Sequence, residues 1–234
     1  MNAVITGATK GIGKAIAEKF AAEGFNLAIC SRNKKELDQF CESLQQKFPD
    51  IDILAQQCDV SDKKQLKVFA DLIRSKWNIL SVIVNNAGIF LPGQVHKEKG
   101  GTLEKLIRTN LYSAYYLTQF LIKMMIREKS GHIFNICSTA SLQGYPNGGS
   151  YGISKFALLG YTKNLRLEMI PYNIKVTALL PGATLTNSWE GMDLPEERFM
   201  KAEDIARAVW NAFILSPQTV VEEILIRPMQ GDIN

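Results

Sequence analysis

Several common protein classes depend on residues that this chain has little of. Its four cysteines, Cys30, Cys41, Cys58 and Cys137, show no CxxC spacing, so neither a disulfide frame nor a zinc or other metal site is expected. They read as buried, reduced thiols of a cytoplasmic protein. No apolar run is long enough to span a membrane, and the first, Ala3-Val4-Ile5, is too short for a signal-peptide core. Lys and Arg number 27 against 23 Asp and Glu, a net charge of +4 without a long run of one sign. Such an excess reads as a solvated surface, because a nucleic-acid or membrane footprint would gather cations on one face. No Pro/Gly/Ser-rich linker, low-complexity tract or internal repeat divides the 234 residues, so a single domain over 1–234 is expected.

What is present is regular alternation. Short, mostly unbroken apolar runs lie at 2–6, 26–30, 51–57, 80–85, 131–136, 174–180 and 219–226. Helix-period stretches separate them at 11–24, 34–48, 62–77, 102–128, 149–171 and 201–215. Unbroken apolar runs suit strands buried on both faces. The pattern predicts an α/β fold: a doubly wound, Rossmann-type parallel sheet of about seven strands with helices on both faces. Ligands of such sheets bind beyond the carboxyl ends of the strands, where strand order reverses. The residues that end each strand are therefore the ones that matter.

The first strand ends in Thr6-Gly7-Ala8-Thr9-Lys10-Gly11-Ile12-Gly13, and a helix follows directly. Glycines let a backbone approach a pyrophosphate, whose charge meets the free N–H groups at a helix start. Gly7, Thr9, Lys10, Gly11, Ile12 and Gly13 are accordingly candidate cofactor-binding positions. A nucleoside-triphosphate P-loop is excluded, because Gly7 and Gly13 are spaced too far apart and Ala15 stands where a magnesium-binding hydroxyl is needed.

The second strand ends in Ser31-Arg32-Asn33, without the carboxylate that would accept the ribose hydroxyls of NAD. Arg32 offers a planar fork of donors suited to a 2′-phosphate, Ser31 adds a hydroxyl, and Lys10 a second cation. The expected cofactor is NADP(H).

The fifth apolar run leads into Ser138, and Tyr151-Gly152-Ile153-Ser154-Lys155 opens a later helix. Tyr and Lys at this spacing share a helix face. A cation beside a phenol favours the phenolate and eases proton exchange with a substrate oxygen near neutral pH. Ser138 would hold that oxygen as charge develops. Gly148-Gly149-Ser150-Tyr151-Gly152 also matches the G-x-S-x-G of serine hydrolases. That elbow requires a strand running straight into it and a later histidine, and His96 and His132 both come earlier.

Thr6-Gly7-x-x-x-Gly11-x-Gly13, Asn85-Asn86-Ala87-Gly88, Asn110, Ser138, Tyr151-x-x-x-Lys155 and Pro181-Gly182 together resemble the short-chain dehydrogenase/reductases over nearly the whole chain. Within that family the likeness is greatest to 3-oxoacyl-(acyl carrier protein) reductases and carbonyl reductases. The resemblance implies that Tyr151 protonates a carbonyl oxygen while NADPH delivers hydride, with Lys155 also bonding the nicotinamide ribose. It further implies that Asn110 sits at a helix irregularity holding a water beside Lys155, and that Asp59 and Val60 contact adenine. Asn86, Ala87 and Gly88 would run along the adenosine ribose, and Pro181, Gly182, Thr184 and Thr186 would meet the nicotinamide carboxamide.

A short substrate lid is expected at about 187–200, where Trp189, Met192 and Phe199 either wall an apolar pocket or pack the lid down. Substrate choice would rest on this lid and on Leu142, Gln143, Tyr145 and Asn147, which favour a small neutral carbonyl or alcohol. A homodimer or homotetramer is implied, although the ending Ile226-Arg227-Pro228-Met229-Gln230-Gly231-Asp232 departs from the family's frequent Asp-Gly-Gly. The competing reading is a catalytically idle NADP(H)-binding sensor or scaffold, which would typically have lost the Tyr or the Lys. A sugar-nucleotide epimerase is disfavoured by the few residues after Gly182.

Overall fold

The structure is a computed structural model that describes residues 1–186 and 194–232. Strands and helices alternate as β1 (Asn2–Thr6), α1 (Gly11–Ala22), β2 (Asn26–Ser31), α2 (Lys34–Lys47), β3 (Ile53–Gln57), α3 (Lys63–Lys76) and β4 (Val82–Asn85). They continue as α4 (Thr102–Ile107), α5 (Ser113–Glu128), β5 (Gly131–Ile136), α6 (Gly149–Met169), β6 (Ile174–Pro181), α7 (Ala202–Phe213) and β7 (Glu223–Ile226). Among the described residues the strands form one parallel seven-stranded sheet in the order β3-β2-β1-β4-β5-β6-β7. Strand order reverses between β1 and β4, which places the ligand crevice of a doubly wound sheet at their carboxyl ends.

The inner strands are largely apolar because both faces are covered, while β3 and β7 at the sheet edges are partly exposed. On β1, Ala3 and Ile5 pack with α1, α2 and α7, whereas Val4 packs on the opposite face with Leu66 and Phe69 of α3 and Leu117 and Leu121 of α5. Phe20, Phe25, Trp210 and Phe213 lock α1 to α7 edge to face, with Phe20 and Phe25 ring centroids 5.0 Å apart. Phe20 and Phe25 are fully buried, and full burial of such a ring stabilises the fold by roughly 1.5–3 kcal/mol. Asn33 caps α2 by accepting from the Glu36 N–H, and Asp62 caps α3 by accepting from the Lys64 N–H at 2.8 Å. That N–H bond is the main reason the Asp62 carboxyl is held below the usual carboxylate range.

One detail follows the resemblance, which implies a helix irregularity at Asn110, and two others differ from the sequence reading. The helical stretch 102–128 is not continuous: a π-type turn at Arg108–Tyr112 separates α4 from α5. The last strand begins only at Glu223, after a turn closed by the Thr219 N–H on the Ser216 carbonyl. Cys30, Cys58 and Cys137 are buried, but Cys41 is half-buried on α2. Among the described residues no helix is long and apolar enough to cross a membrane.

His132 opens the buried part of β5 far from the crevice and stacks on Phe134 at 3.9 Å. Thr177 gives its one hydroxyl proton to the Val221 carbonyl, so its oxygen accepts from His132 Nε2–H at 2.7 Å. His132 Nδ1 then carries the lone pair, buried and without a partner among the described residues. Burial, followed by the nearby Lys175 ammonium, pulls the imidazole down to about 3. A neutral folded-state imidazole stabilises fully above the unfolded value of about 6.5, and that contribution is lost as pH falls from there towards 3. Between pH 7 and 5 the unfolding free energy should drop by up to about 2 kcal/mol from this group. Denaturant titrations at the two pH values check this, and a His132→Gln variant should show a smaller drop.

Candidate active site

At the carboxyl ends of the strands lies a cleft of about 670 Å³, lined from Gly7 and Arg32 at one end to Ser138 and Tyr151 at the other. Thr6 Oγ1, at the tip of β1, accepts from the N–H groups of Asn86 (3.1 Å) and Ala87 (3.0 Å). The Asn86 side chain returns across the gap and donates to the carbonyls of Thr6 (2.9 Å) and Gly7 (3.1 Å). Gly13 packs into this clamp so closely that a Cβ there would lie 2.2 Å from the Gly7 oxygen and 2.3 Å from Asn86 Nδ2. Gly7 itself turns at φ +63°, a conformation that glycine adopts at little cost. Lys10 gives α1 no side-chain cap, so the first-turn N–H groups of Gly11, Ile12 and Gly13 present an anion-binding helix start.

Beside this loop, Thr9 and Ser31 hydroxyls meet at 3.2 Å. The Arg32 guanidinium makes no ion pair or hydrogen bond among the described residues; only its carbonyl is engaged, by Gln57 Nε2 at 3.0 Å. Lys10 also lines the cleft, and its ammonium is paired to Glu36 at 2.9 Å, a partner the sequence did not indicate. Glu36, which also accepts from Asn33 Nδ2 at 2.8 Å, thus puts a carboxylate at this end of the cleft. Asp59 turns its carboxylate into its own loop, accepting from Ser61 N–H and Oγ–H, while Val60 is buried along the wall.

At the opposite end the π-type turn places Asn110 inside the protein. Its amide donates to the Ile89 carbonyl (3.0 Å) and to Ser154 Oγ (2.9 Å), and its oxygen accepts from the Ile89 N–H (2.8 Å). Lys155 is buried and donates to the Ile136 carbonyl at 2.8 Å. Its Nζ stands 5.8 Å from the Tyr151 ring centroid and 3.7 Å from where a Cβ on Gly88 would be. Ser138 Oγ accepts from the Ala140 N–H at 3.1 Å, which leaves its own proton free to donate. Tyr151, Lys155 and Ser138 thus face one end of the same cleft.

Pro181, Gly182, Thr184 and Thr186 form the remaining wall. A short bridge pairs Thr184 with Met200 and holds that wall, with the Leu185 N–H on the Met200 carbonyl at 2.8 Å. Of the expected lid residues, Trp189 and Met192 lie outside the described residues, and Phe199 is half-buried. Residues to which the motifs gave no pointer also reach the cleft. Phe90 meets the Tyr151 ring edge-on at 4.8 Å. Asp232 is brought in by Arg227 Nε on its carboxylate (2.9 Å) and Arg198 on its carbonyl (3.0 Å). Tyr145, named among the loop residues, also lines it, and burial followed by the neighbouring Tyr151 pushes its phenol up to about 12.

A family model for short chain dehydrogenases matches residues 1–196. The chain belongs to the short-chain dehydrogenase family. Among other family members, it is 33% identical to the sepiapterin reductase of Chlorobaculum tepidum, covering 98% of this chain and 97% of that protein. It is 30% identical to the 3-oxoacyl-(acyl-carrier-protein) reductase of Staphylococcus aureus over 92% of this chain and 90% of that one. The solved alcohol dehydrogenase of the archaeon Thermococcus sibiricus, complexed with 5-hydroxy-NADP, superposes with a TM-score of 0.92 at 26% identity over 100% of this chain and 98% of the other.

Because Gly13 has no room for a side chain, Gly13→Ala should force the β1–α1 loop away from Asn86. We expect a lowered Tm and loss of dinucleotide binding by fluorescence titration, whereas Gly160→Ala, with open space around its Cβ position and an ordinary helical backbone, should retain both.

Proposed function

We propose that this chain is an NADP(H)-dependent carbonyl reductase in which Tyr151 is the general acid, Ser138 orients the substrate oxygen and Lys155 supports both. The observation that carries this reading is one cleft with an uncapped helix start and an arginine unpaired among the described residues at one end, and the Ser138, Tyr151 and Lys155 side chains at the other. The site residues fit the cofactor: the Gly7–Gly13 loop leaves backbone where a pyrophosphate needs close approach, and Arg32 offers its fork to a 2′-phosphate. With Lys10 sharing its charge with Glu36, Arg32 supplies the larger part of that recognition. Thermococcus sibiricus alcohol dehydrogenase, of the same fold, is complexed with an NADP derivative.

When bound, NADPH supplies hydride to the carbonyl carbon. Ser138 donates a hydrogen bond to the carbonyl oxygen, and Tyr151 transfers its phenolic proton to that oxygen as negative charge develops there. The Lys155 ammonium, on the same helix face as Tyr151 and held by the Ile136 carbonyl of β5, stabilises the phenolate left behind. Asn110 fixes the Ile89 backbone and Ser154 so that the wall beside Lys155 keeps its shape. Asp59, Val60, Asn86, Ala87 and Gly88 serve the adenosine half, and Pro181, Gly182, Thr184 and Thr186 the nicotinamide. The substrate is a small neutral ketone or aldehyde, or a 3-oxoacyl thioester, handled in the cytoplasm by one catalytic domain. Exposed Tyr112, Tyr115, Ile153 and Phe156 on and before α5 and on α6 support assembly as a homodimer or homotetramer.

Purified protein should oxidise NADPH with members of a panel of acetoacetyl thioester, medium-chain aldehydes, diketones and a quinone. Tyr151→Phe should lower turnover about 100-fold or more while leaving NADPH binding intact; equal turnover would reject the proton donor. Arg32→Asp should weaken NADPH binding by about tenfold or more with little effect on NADH, as loss of a charge-assisted contact requires. An unchanged cofactor preference would place the 2′-phosphate elsewhere.

A further inference from the structure

We propose that Glu98 is a positioning residue for Tyr151: its carboxylate reaches from the loop after β4, clasps the first turn of α6 and fixes the proton donor against Phe90. This inference rests on Tyr151 being that donor. Helix α6 begins at Gly149, and the preceding Gly148 provides no side-chain cap. The cap comes instead from a residue distant in sequence. Glu98 Oε1 accepts from the Ser150 N–H at 2.8 Å, and Oε2 accepts from the Ser150 hydroxyl. Tyr151 is the next residue.

The surroundings are shaped around this carboxylate. A Cβ on Gly149, whose φ is +42°, would stand 2.1 Å from Glu98 Oε1 and 2.5 Å from the Gly93 carbonyl oxygen. A Cβ on Gly93 would lie 3.0 Å from the same carboxylate oxygen. Glycine at both places leaves the volume that Glu98 fills. A backbone bond from the Gly93 N–H to the Asn147 carbonyl, 2.9 Å, closes the two segments a second time. The turn at Val95–Lys97 delivers Glu98, whose own N–H bonds the Gln94 carbonyl at 3.1 Å.

No cation pairs with Glu98 among the described residues, and its acceptor capacity goes to Ser150. The two Ser150 bonds, the hydroxyl first, hold its carboxyl below the usual carboxylate range. The clasped loop is also the one that carries Phe90, whose ring meets Tyr151 edge-on at 4.8 Å. Releasing the clasp would free both rings at once: Phe90 through its loop and Tyr151 through the first turn of its helix. Buttressing of this kind matters because a reacting group displaced by about 1 Å can lose two orders of magnitude in rate.

The test uses the full-length protein with Glu98→Ala, Glu98→Gln and Tyr151→Phe. In Glu98→Ala we expect kcat to fall about tenfold or more with NADPH Kd unchanged, since the clasp lies at the substrate end of the cleft. Amide hydrogen exchange should rise at Ser150, Tyr151 and residues 89–98. Glu98→Gln keeps an acceptor for the Ser150 N–H and should restore most of kcat and of the protection. Wild-type kcat and exchange in Glu98→Ala, alongside an inactive Tyr151→Phe, would overturn the clasp while leaving the proton donor in place. Equal loss of kcat in Glu98→Gln and Glu98→Ala without faster exchange would overturn it in favour of a role for the charge itself. Undiminished turnover in Tyr151→Phe would instead sink the underlying assignment. Should Glu98→Ala fail to fold, Ser150→Ala, which removes one of the two bonds, should give a smaller kcat loss in the same direction, and no loss would count against the clasp.

Discussion

Two side chains at neighbouring strand ends, Thr6 and Asn86, hold open and define the crevice on which the rest of the site depends. Parallel strands that diverge at their carboxyl ends leave backbone groups without ladder partners, and those groups must be satisfied before a ligand can use the space. Thr6 Oγ1 takes two of them, and Asn86 Nδ2 answers two carbonyls in return. With neutral hydrogen bonds contributing about 1 kcal/mol each, the clamp is modest in energy but exact geometry follows from it. It sets where Gly7 turns, and so where Gly13 must lack a side chain and where α1 begins.

From that clamp the cleft extends in two directions with different physics. Towards α1 and β2 it is electrostatic: free helix N–H groups, the Arg32 fork, and the Lys10–Glu36 pair that neutralises one cation. The Arg32 and Lys10 side chains are exposed, so their interactions are screened and depend on ionic strength. Towards α6 the cleft is built from buried polar contacts. Asn110, Ser154, Lys155 and the Ile89 and Ile136 backbones satisfy one another in surroundings where an unpaired group would be costly. The π-type turn at Arg108–Tyr112 belongs to this second set, since it brings the Asn110 side chain to the Ile89 backbone.

Helix α6 has to deliver Tyr151 and Lys155 together, and its two ends of support are of different kinds. Lys155, a turn further on, is anchored by strand β5 through the Ile136 carbonyl. Tyr151 lies in the first turn, where intrahelical hydrogen bonds are incomplete, and there Glu98 and Phe90 come across from the loop after β4. One loop therefore contributes Ala87 and Gly88 to the crevice at its start and the Ser150 contact near its end.

Much of this was legible in the chain itself. Unbroken apolar runs announce strands covered on both faces, glycine spacing at a strand end announces a loop that lets backbone approach a phosphate, and a Tyr and a Lys one helical turn apart must share a face. These are local consequences of period and backbone freedom, and a single sequence carries them. The break in the 102–128 stretch left no mark in the helical period, since no proline or glycine falls at the π-type turn; only the family resemblance of Asn110 pointed to an irregularity there. The pairing of Lys10 with Glu36, the arrival of Asp232 by way of Arg198 and Arg227, and the reach of Glu98 to Ser150 were not legible. Each joins positions whose distance in space is set by how helices and loops pack on the sheet. By itself the sequence determined the alternation, the strand-end motifs and the residues able to do the chemistry; only the tertiary structure decided which polar side chains meet them, because those meetings depend on long-range packing that no local pattern encodes.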